Sequence, residues 1–193
     1  MRARVPLASV SALLVATACV KLGPSTDLSR FFLLTPEPAA PAAPTAQGPI
    51  VGVGPVTLPE YLSRDVIVTR VGPHEVRLSA ADRWAEPLAT QVPEILARNL
   101  DARMGASRAV TYPWPRAMEP DVTVRVDIVH FEADQAGTAR LDAFWSVMTG
   151  GTVRSGSTAA TQAVEGATVD AAVAALSALL GRLGDEIAAA VGR

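Results

Sequence analysis

The stretch that most restricts the fold is DVTVRVDIVHFEA at residues 121–133, in which apolar and polar residues alternate through the first half. Side chains along a β-strand point to opposite faces in turn, so Val122, Val124, Val126 and Ile128 share one face. A strand with one apolar face needs a second layer to cover it. The chain is therefore predicted to build a sheet that is covered on one side.

Further runs rich in β-branched residues surround this strand. They predict strands at 50–58, 65–71, 75–79, 137–150 and 151–164, and FFLL at 31–34 is apolar enough to be a strand pinned to the same sheet. Turn signals at Gly72-Pro73 and Gly150-Gly151 predict two hairpins.

Two amphipathic helices are predicted from apolar residues that recur at intervals of three and four. The first spans 86–104 and the second is a C-terminal helix of about 24 residues that starts near Val169. Pro87 suits the first turn of the first helix, whereas Pro93 should kink it or mark its true start.

The order of these elements indicates a fold class. We predict an α/β (α+β) fold: a single two-layer domain with a mostly antiparallel sheet and two main helices on one sheet face. The order also fits two halves of the β-β-β-α type, although the halves show no clear sequence repeat. Five prolines within 36–49 predict an exposed, proline- and alanine-rich loop inside this domain, which spans residues 28–193.

The first residues are typical of a secretory signal peptide, predicted at 1–18. Arg2 and Arg4 precede an apolar run that is too short to span a bilayer, and small residues lead to Cys19. A small-residue cleavage site directly before a cysteine predicts lipidation of Cys19, followed by a tether at 19–27. Because Ala16 stands where a lipoprotein signal usually has leucine, ordinary cleavage near Ala18 is the alternative.

Composition excludes several classes of function. A formal charge of −2 provides no basic field for nucleic acid, so no nucleic-acid partner is expected. One cysteine allows no internal disulfide, and neither His74 nor His130 has a second ligand at metal-binding spacing. No nucleophile motif of the G-x-S-x-G or S-x-x-K kind is present, and VGVGP at 51–55 lacks the third glycine of a phosphate loop. We predict a non-enzyme without metal or cofactor.

Two clusters are candidates for contact with a partner protein. DRWAEPL at 82–88 brings together Arg83, Trp84 and Glu86, and arginine and tryptophan dominate interface hot spots. The alternative is that Trp84 covers the core while Arg83 or Glu86 pairs locally at the start of the helix. Tyr112 and Trp114, in YPWP, form either an exposed contact site or a lid over a helix end.

The order of short motifs resembles a known family. The residues that carry the resemblance are Gly52-Val53-Gly54-Pro55-Val56, Leu58-Pro59-Glu60-Tyr61-Leu62, Ile67-Val68-Thr69-Arg70, Arg83-Trp84-Ala85-Glu86-Pro87-Leu88, Asn99-Leu100, Pro113-Trp114, Val126-Asp127, Phe131-Glu132, Trp145 and the closing LSALLGRLGDEIAAAV. Together they resemble the ABC-type transport auxiliary lipoproteins.

The resemblance implies a lipoprotein on the periplasmic side of the outer membrane of a Gram-negative cell. It would work with an ABC permease and ATPase and with a mammalian-cell-entry-domain protein that carries lipids or other hydrophobic molecules between the two membranes. Docking through an apolar or aromatic face and assembly into a homo-oligomeric ring are further expectations. Two alternatives stay open: a module whose C-terminal helix and sheet enclose an acyl chain, and an exported enzyme with a polar cleft.

Overall fold

The computed structural model describes residues 27–37, 48–104, 108–115 and 117–192. The predicted signal peptide at 1–18, Cys19, the tether up to residue 26 and most of the proline- and alanine-rich loop lie outside the described residues.

The described chain contains eight strands and two α-helices. In chain order they are β1 (Arg30–Phe32), β2 (Ile50–Thr57), β3 (Val66–Gly72), β4 (Glu75–Trp84), α1 (Leu88–Met104), β5 (Arg108–Thr111), β6 (Val122–Asp134), β7 (Thr138–Thr149), β8 (Thr152–Ala163) and α2 (Val169–Val191). A short 3₁₀ helix, Glu60–Leu62, lies between β2 and β3. Every predicted strand and helix is present, and β5 is an additional strand that the sequence analysis did not predict.

All eight strands belong to one mixed sheet, in the order β1-β4-β3-β6-β2-β5, with β7 and then β8 added on β6. The antiparallel pairs β3–β4, β6–β7 and β7–β8 form the longest ladders. Four pairs are parallel: β1 with β4, β2 with β5, β2 with β6, and β3 with β6. The predicted α+β class and the predominance of antiparallel residue pairs are confirmed, and the parallel pairs make the sheet mixed.

The element order of the two halves repeats, whereas their strand pairing differs. Strands β6, β7 and β8 form a simple meander, but β2 does not pair with β3. Instead, β2 pairs with the first half of β6 and β3 with its last two residues, while β7 runs along the whole opposite edge of β6. The long strand β6 therefore joins the two halves.

The core lies between the sheet and the two helices, which pack against each other. The four alternating residues predicted to share a face of β6, Val122, Val124, Val126 and Ile128, are all buried. Helix α1 begins at Leu88 and continues through Pro93, so this proline does not mark the start of the helix. Among the helices of the described chain, none combines the length and apolar character that a membrane span requires.

Candidate functional site

Glu132 is the centre of a buried polar cluster on the sheet face opposite the helices. It alternates with the core residues Phe131 and Ala133 on β6, yet its side chain is only 2% exposed. Its Oε2 accepts hydrogen bonds from the Tyr61 hydroxyl (2.7 Å) and the Phe131 amide (2.9 Å). Its Oε1 accepts from Nε of Arg70 (2.7 Å) and lies 3.2 Å from Nδ1 of His130. We call Tyr61, Arg70, His130 and Glu132 the Glu132 cluster.

Opposing effects set the protonation of this cluster. Burial alone would raise the pKa of Glu132, but hydrogen bonds from Tyr61, Arg70 and the Phe131 amide outweigh it and lower the pKa below its usual value. Burial and the neighbouring carboxylate raise the pKa of the Tyr61 hydroxyl. The hydrogen bond to Glu132 raises the pKa of Arg70. Near neutral pH the carboxylate therefore stays ionised and the phenol stays protonated, which suits a structural anchor.

Three chain segments meet at this cluster. Tyr61 comes from the 3₁₀ helix, Arg70 from the end of β3, and Glu132 from β6 just after the register shift between Ile128 and His130. The cluster was not predicted from the sequence, because Tyr61 and Glu132 are 71 residues apart. A signal was available, since Tyr61, Arg70 and Glu132 each lie in a motif that carries the family resemblance.

The N-terminal segment, residues 27–37, is fastened to the domain by buried polar side chains. The backbone amide of Leu34 donates to Oε1 of Gln91 on α1 (2.8 Å), and that of Thr35 donates to Oγ of Ser177 on α2 (3.1 Å). The amide of Glu37 donates to Oδ1 of Asn99 (2.9 Å). The segment that follows the predicted tether is therefore held by both helices.

The first predicted contact cluster is mostly engaged within the domain. Trp84 is only 5% exposed and belongs to the core. Arg83 forms an ion pair with Asp65, the residue before β3, with Nη1 3.0 Å from Oδ2, so its partner is not at the start of the helix. Glu86 is exposed. Of these three residues, Glu86 offers the most accessible side chain.

The second predicted contact cluster is more accessible. Tyr112 is 56% exposed and contacts Trp114 edge to face, with ring centroids 5.3 Å apart. A methyl group at Gly52 would lie 2.9 Å from the Trp114 ring, and one at Gly54 would lie 2.7 Å from Cβ of Tyr112. The glycines of β2 therefore leave room for this aromatic pair. Since β4 and β5 lie near opposite ends of the strand order, the two predicted clusters do not form one surface.

A cleft of about 480 Å³ opens between the sheet and the N-terminal end of α2. Ile67 on β3 and Val173 and Leu176 on α2 contribute apolar walls, and the turn from Asp134 to Gly137 forms part of the rim. The volume is within the range of about 300–1,000 Å³ that is usual for small-molecule sites. Across the described ranges no group of three or more His, Cys, Asp or Glu residues is placed to hold a metal.

These features define a class: an α+β domain with one mixed sheet, two helices on one face and a charged anchor buried on the other. The family model for the ABC-type transport auxiliary lipoprotein component matches residues 31–188. The chain belongs to this family.

Known structures share the fold. A crystal structure of an uncharacterized protein is 17% identical to this chain, covers 84% of it and 98% of its own chain, and superposes with a TM-score of 0.71. Protein XCC0632 from Xanthomonas campestris, of the DUF330 family, is 19% identical, with coverage of 82% and 92% and a TM-score of 0.64. A comparison with curated proteins finds no match.

Proposed function

We propose that this protein is a periplasmic accessory lipoprotein of an ABC transporter that acts with a mammalian-cell-entry-domain protein. The system would move lipids or other hydrophobic molecules between the inner and outer membranes. The protein contributes docking and no catalysis. The observation that carries the proposal is family membership over residues 31–188, which includes every described strand except the first residue of β1.

In this proposal Cys19 is lipidated and holds the domain on the periplasmic side of the outer membrane. Acyl chains contribute about 0.8 kcal/mol per buried methylene, so more than one chain gives a lasting anchor. The hydrogen bonds of residues 34–37 to Gln91, Asn99 and Ser177 support this role, because they tie the segment after the tether to the core. Wild-type protein should fractionate with membranes and Cys19→Ala should not. Equal fractionation of the two would argue against lipidation.

Tyr112, Trp114, Glu86 and Arg83 are the proposed contact residues. Trp84 is not proposed as a direct contact, because its side chain is buried in the core. Tyr112→Ala removes an exposed ring and should weaken partner capture with little loss of stability. Thr90→Ala, an exposed change on α1, is the matched control.

Affinity capture of the full-length protein from gently solubilised native membranes tests the function as a whole. We expect a permease, an ATPase and a mammalian-cell-entry-domain protein to be identified by mass spectrometry. Their absence, under conditions that retain another weak envelope complex, would refute the proposal. Sedimentation velocity on the same preparation would test assembly into a homo-oligomeric ring.

Direct lipid binding is the second candidate, and the cleft beside α2 favours it. Its apolar walls, formed by Ile67, Val173 and Leu176, match the expectation that the C-terminal helix and sheet enclose an acyl chain. Native mass spectrometry of the purified domain should then show a bound lipid that is lost in Leu176→Gln. A lipid-free wild-type polypeptide would count against this candidate.

A further inference from the structure

Strand β8 is a long edge strand. It spans 12 residues, Thr152–Ala163, and in the described chain its only pairing partner is β7. The other two edge strands are much shorter: β1 has three residues and β5 has four. Natural edge strands are usually protected by prolines, charges or short length. Strand β8 contains no proline, and its one charged residue is Arg154.

The hydrogen-bonding direction of β8 follows from two bonds near its end. The Val164 amide donates across the hairpin to the Gly137 carbonyl, so even-numbered residues direct their backbone groups toward β7. The Thr161 carbonyl instead accepts from Arg182 on α2, so odd-numbered residues direct theirs outward. Arg182 covers the end of the edge near Thr161. The backbone groups of Val153, Ser155, Ser157 and Ala159 face outward along the remainder.

Side chains near this edge leave space for an added strand. The odd-numbered residues of β8 are exposed on the sheet face opposite the helices, and those after Val153 are small. On the same face, Phe144 is 60% exposed. Met148 on β7 and Val153 on β8 are also exposed there, and they lie directly opposite each other in the β7–β8 ladder. Alternate side chains of an added strand would pack next to these apolar groups.

On the helix side, a cleft of about 620 Å³ lies beside the same edge, between β8 and the second half of α2. Trp145 and Ala189 provide apolar walls, and Glu186 lines the cleft. Asp185 pairs with Arg103, whereas within the described ranges Glu186 accepts from the Thr158 hydroxyl and has no cationic partner. Arg154 also lines the cleft, and its Nη1 donates to the Ala190 carbonyl (3.0 Å). Because that guanidinium is held by a backbone carbonyl and not by Glu186, a basic side chain with an apolar stem complements the part of the cleft beside Glu186.

We propose that the open part of β8, residues 153–159, binds an extended segment of a partner protein by strand addition. The segment supplies main-chain hydrogen bonds to the edge, and an arginine or lysine that points toward the helices enters the cleft beside Glu186. The inference names a mode of contact for the proposed docking function and rests on that function for the partner's identity. Peptide binding to the purified chain does not involve the transporter, so the two proposals can fail separately.

The probe is a displayed library of ten-residue peptides selected against the purified full-length chain. We expect enriched peptides in which β-branched residues recur at every second position. One of the positions between them, whose side chains point to the other face of the strand, should be arginine or lysine. Ser155→Lys places a charge on the edge and should weaken their binding by about tenfold or more. Ser146→Lys makes the same change on the same face, one strand inside the edge, and should have little effect. Glu186→Gln should weaken the basic peptides selectively.

Amide hydrogen exchange provides a second readout. Bound peptide should slow exchange at Val153, Ser155 and Ser157, whose amides face outward. Ser157→Pro removes one of these amides without breaking the β7–β8 ladder and should also reduce binding. Equal binding to wild type and both edge variants would overturn the proposal, as would enrichment without a basic residue. Self-association of the wild type that is lost in Ser155→Lys would assign the edge to a second copy and also overturn it.

Discussion

The Tyr61 hydroxyl and the Glu132 carboxylate are joined by a hydrogen bond of 2.7 Å, which ties the 3₁₀ helix to the central strand β6. Arg70 reaches the same carboxylate from β3. Since β3 pairs with only the last two residues of β6, the side-chain bonds reinforce a short backbone ladder. The Glu132 cluster thus supports the junction between the two halves of the sheet.

Replacing Glu132 by glutamine should destabilise the fold strongly. The amide keeps the shape but removes the charge that strengthens the hydrogen bonds from Arg70 and Tyr61, and a hydrogen bond to a charged group contributes about 1.5–3 kcal/mol. Urea unfolding followed by far-ultraviolet circular dichroism measures the loss. Glu60→Gln, an exposed change in the same 3₁₀ helix, should leave the transition nearly unchanged. Similar small effects for both variants would show that the cluster does not stabilise the junction.

The stability of the wild type should fall in acid. The pKa of Glu132 is lowered on folding, so its contribution is fully present above the unfolded-state pKa of about 4.3 and is lost as the pH falls through the lower folded-state value. Urea midpoints measured from pH 7 down to pH 3 should therefore converge for wild type and Glu132→Gln. A constant difference between the two proteins over this range would contradict the assignment.

Removal of the Gln91 side chain amide should loosen the N-terminal segment. Gln91→Leu leaves the buried Leu34 amide without its acceptor, at a cost of about 1–3 kcal/mol, and also removes the hydrogen bond to the Glu86 carbonyl. Hydrogen exchange should accelerate at Leu34, Thr35 and Glu37 more than in β6. Thr90→Ala is the exposed control on the same helix. Uniform acceleration over the whole domain would indicate global destabilisation only.

Trp84→Ala should lower the stability of the domain, because Trp84 lies in the core. A buried tryptophan truncated to alanine costs about 3–5 kcal/mol, because apolar contacts are lost and a cavity remains. Thermal unfolding should show a lower midpoint, whereas Tyr112→Ala should change it little. An unchanged midpoint for Trp84→Ala would restore Trp84 as a direct contact candidate.

Local patterns predicted much of the fold. The period of two in β6 and the period of three to four in α2 repeat over enough residues to identify each element and its buried face. Strand β5 escaped prediction because it has only four residues and, among the described strands, pairs with β2 alone. Its strand conformation depends on that parallel neighbour, whose position is not encoded locally.

The sequence by itself determined both helices, every strand except β5, and the family, because each rests on neighbouring residues or on an ordered set of motifs. The signal peptide at 1–18 and lipidation of Cys19 stay predictions. Only the tertiary structure decided that Trp84 is buried, that Tyr61 and Arg70 share the Glu132 carboxylate, and that β8 lies at an open edge. These properties depend on which segments pack together across long sequence separations. Periodicity fixes the face of each element, but not its neighbour in the sheet.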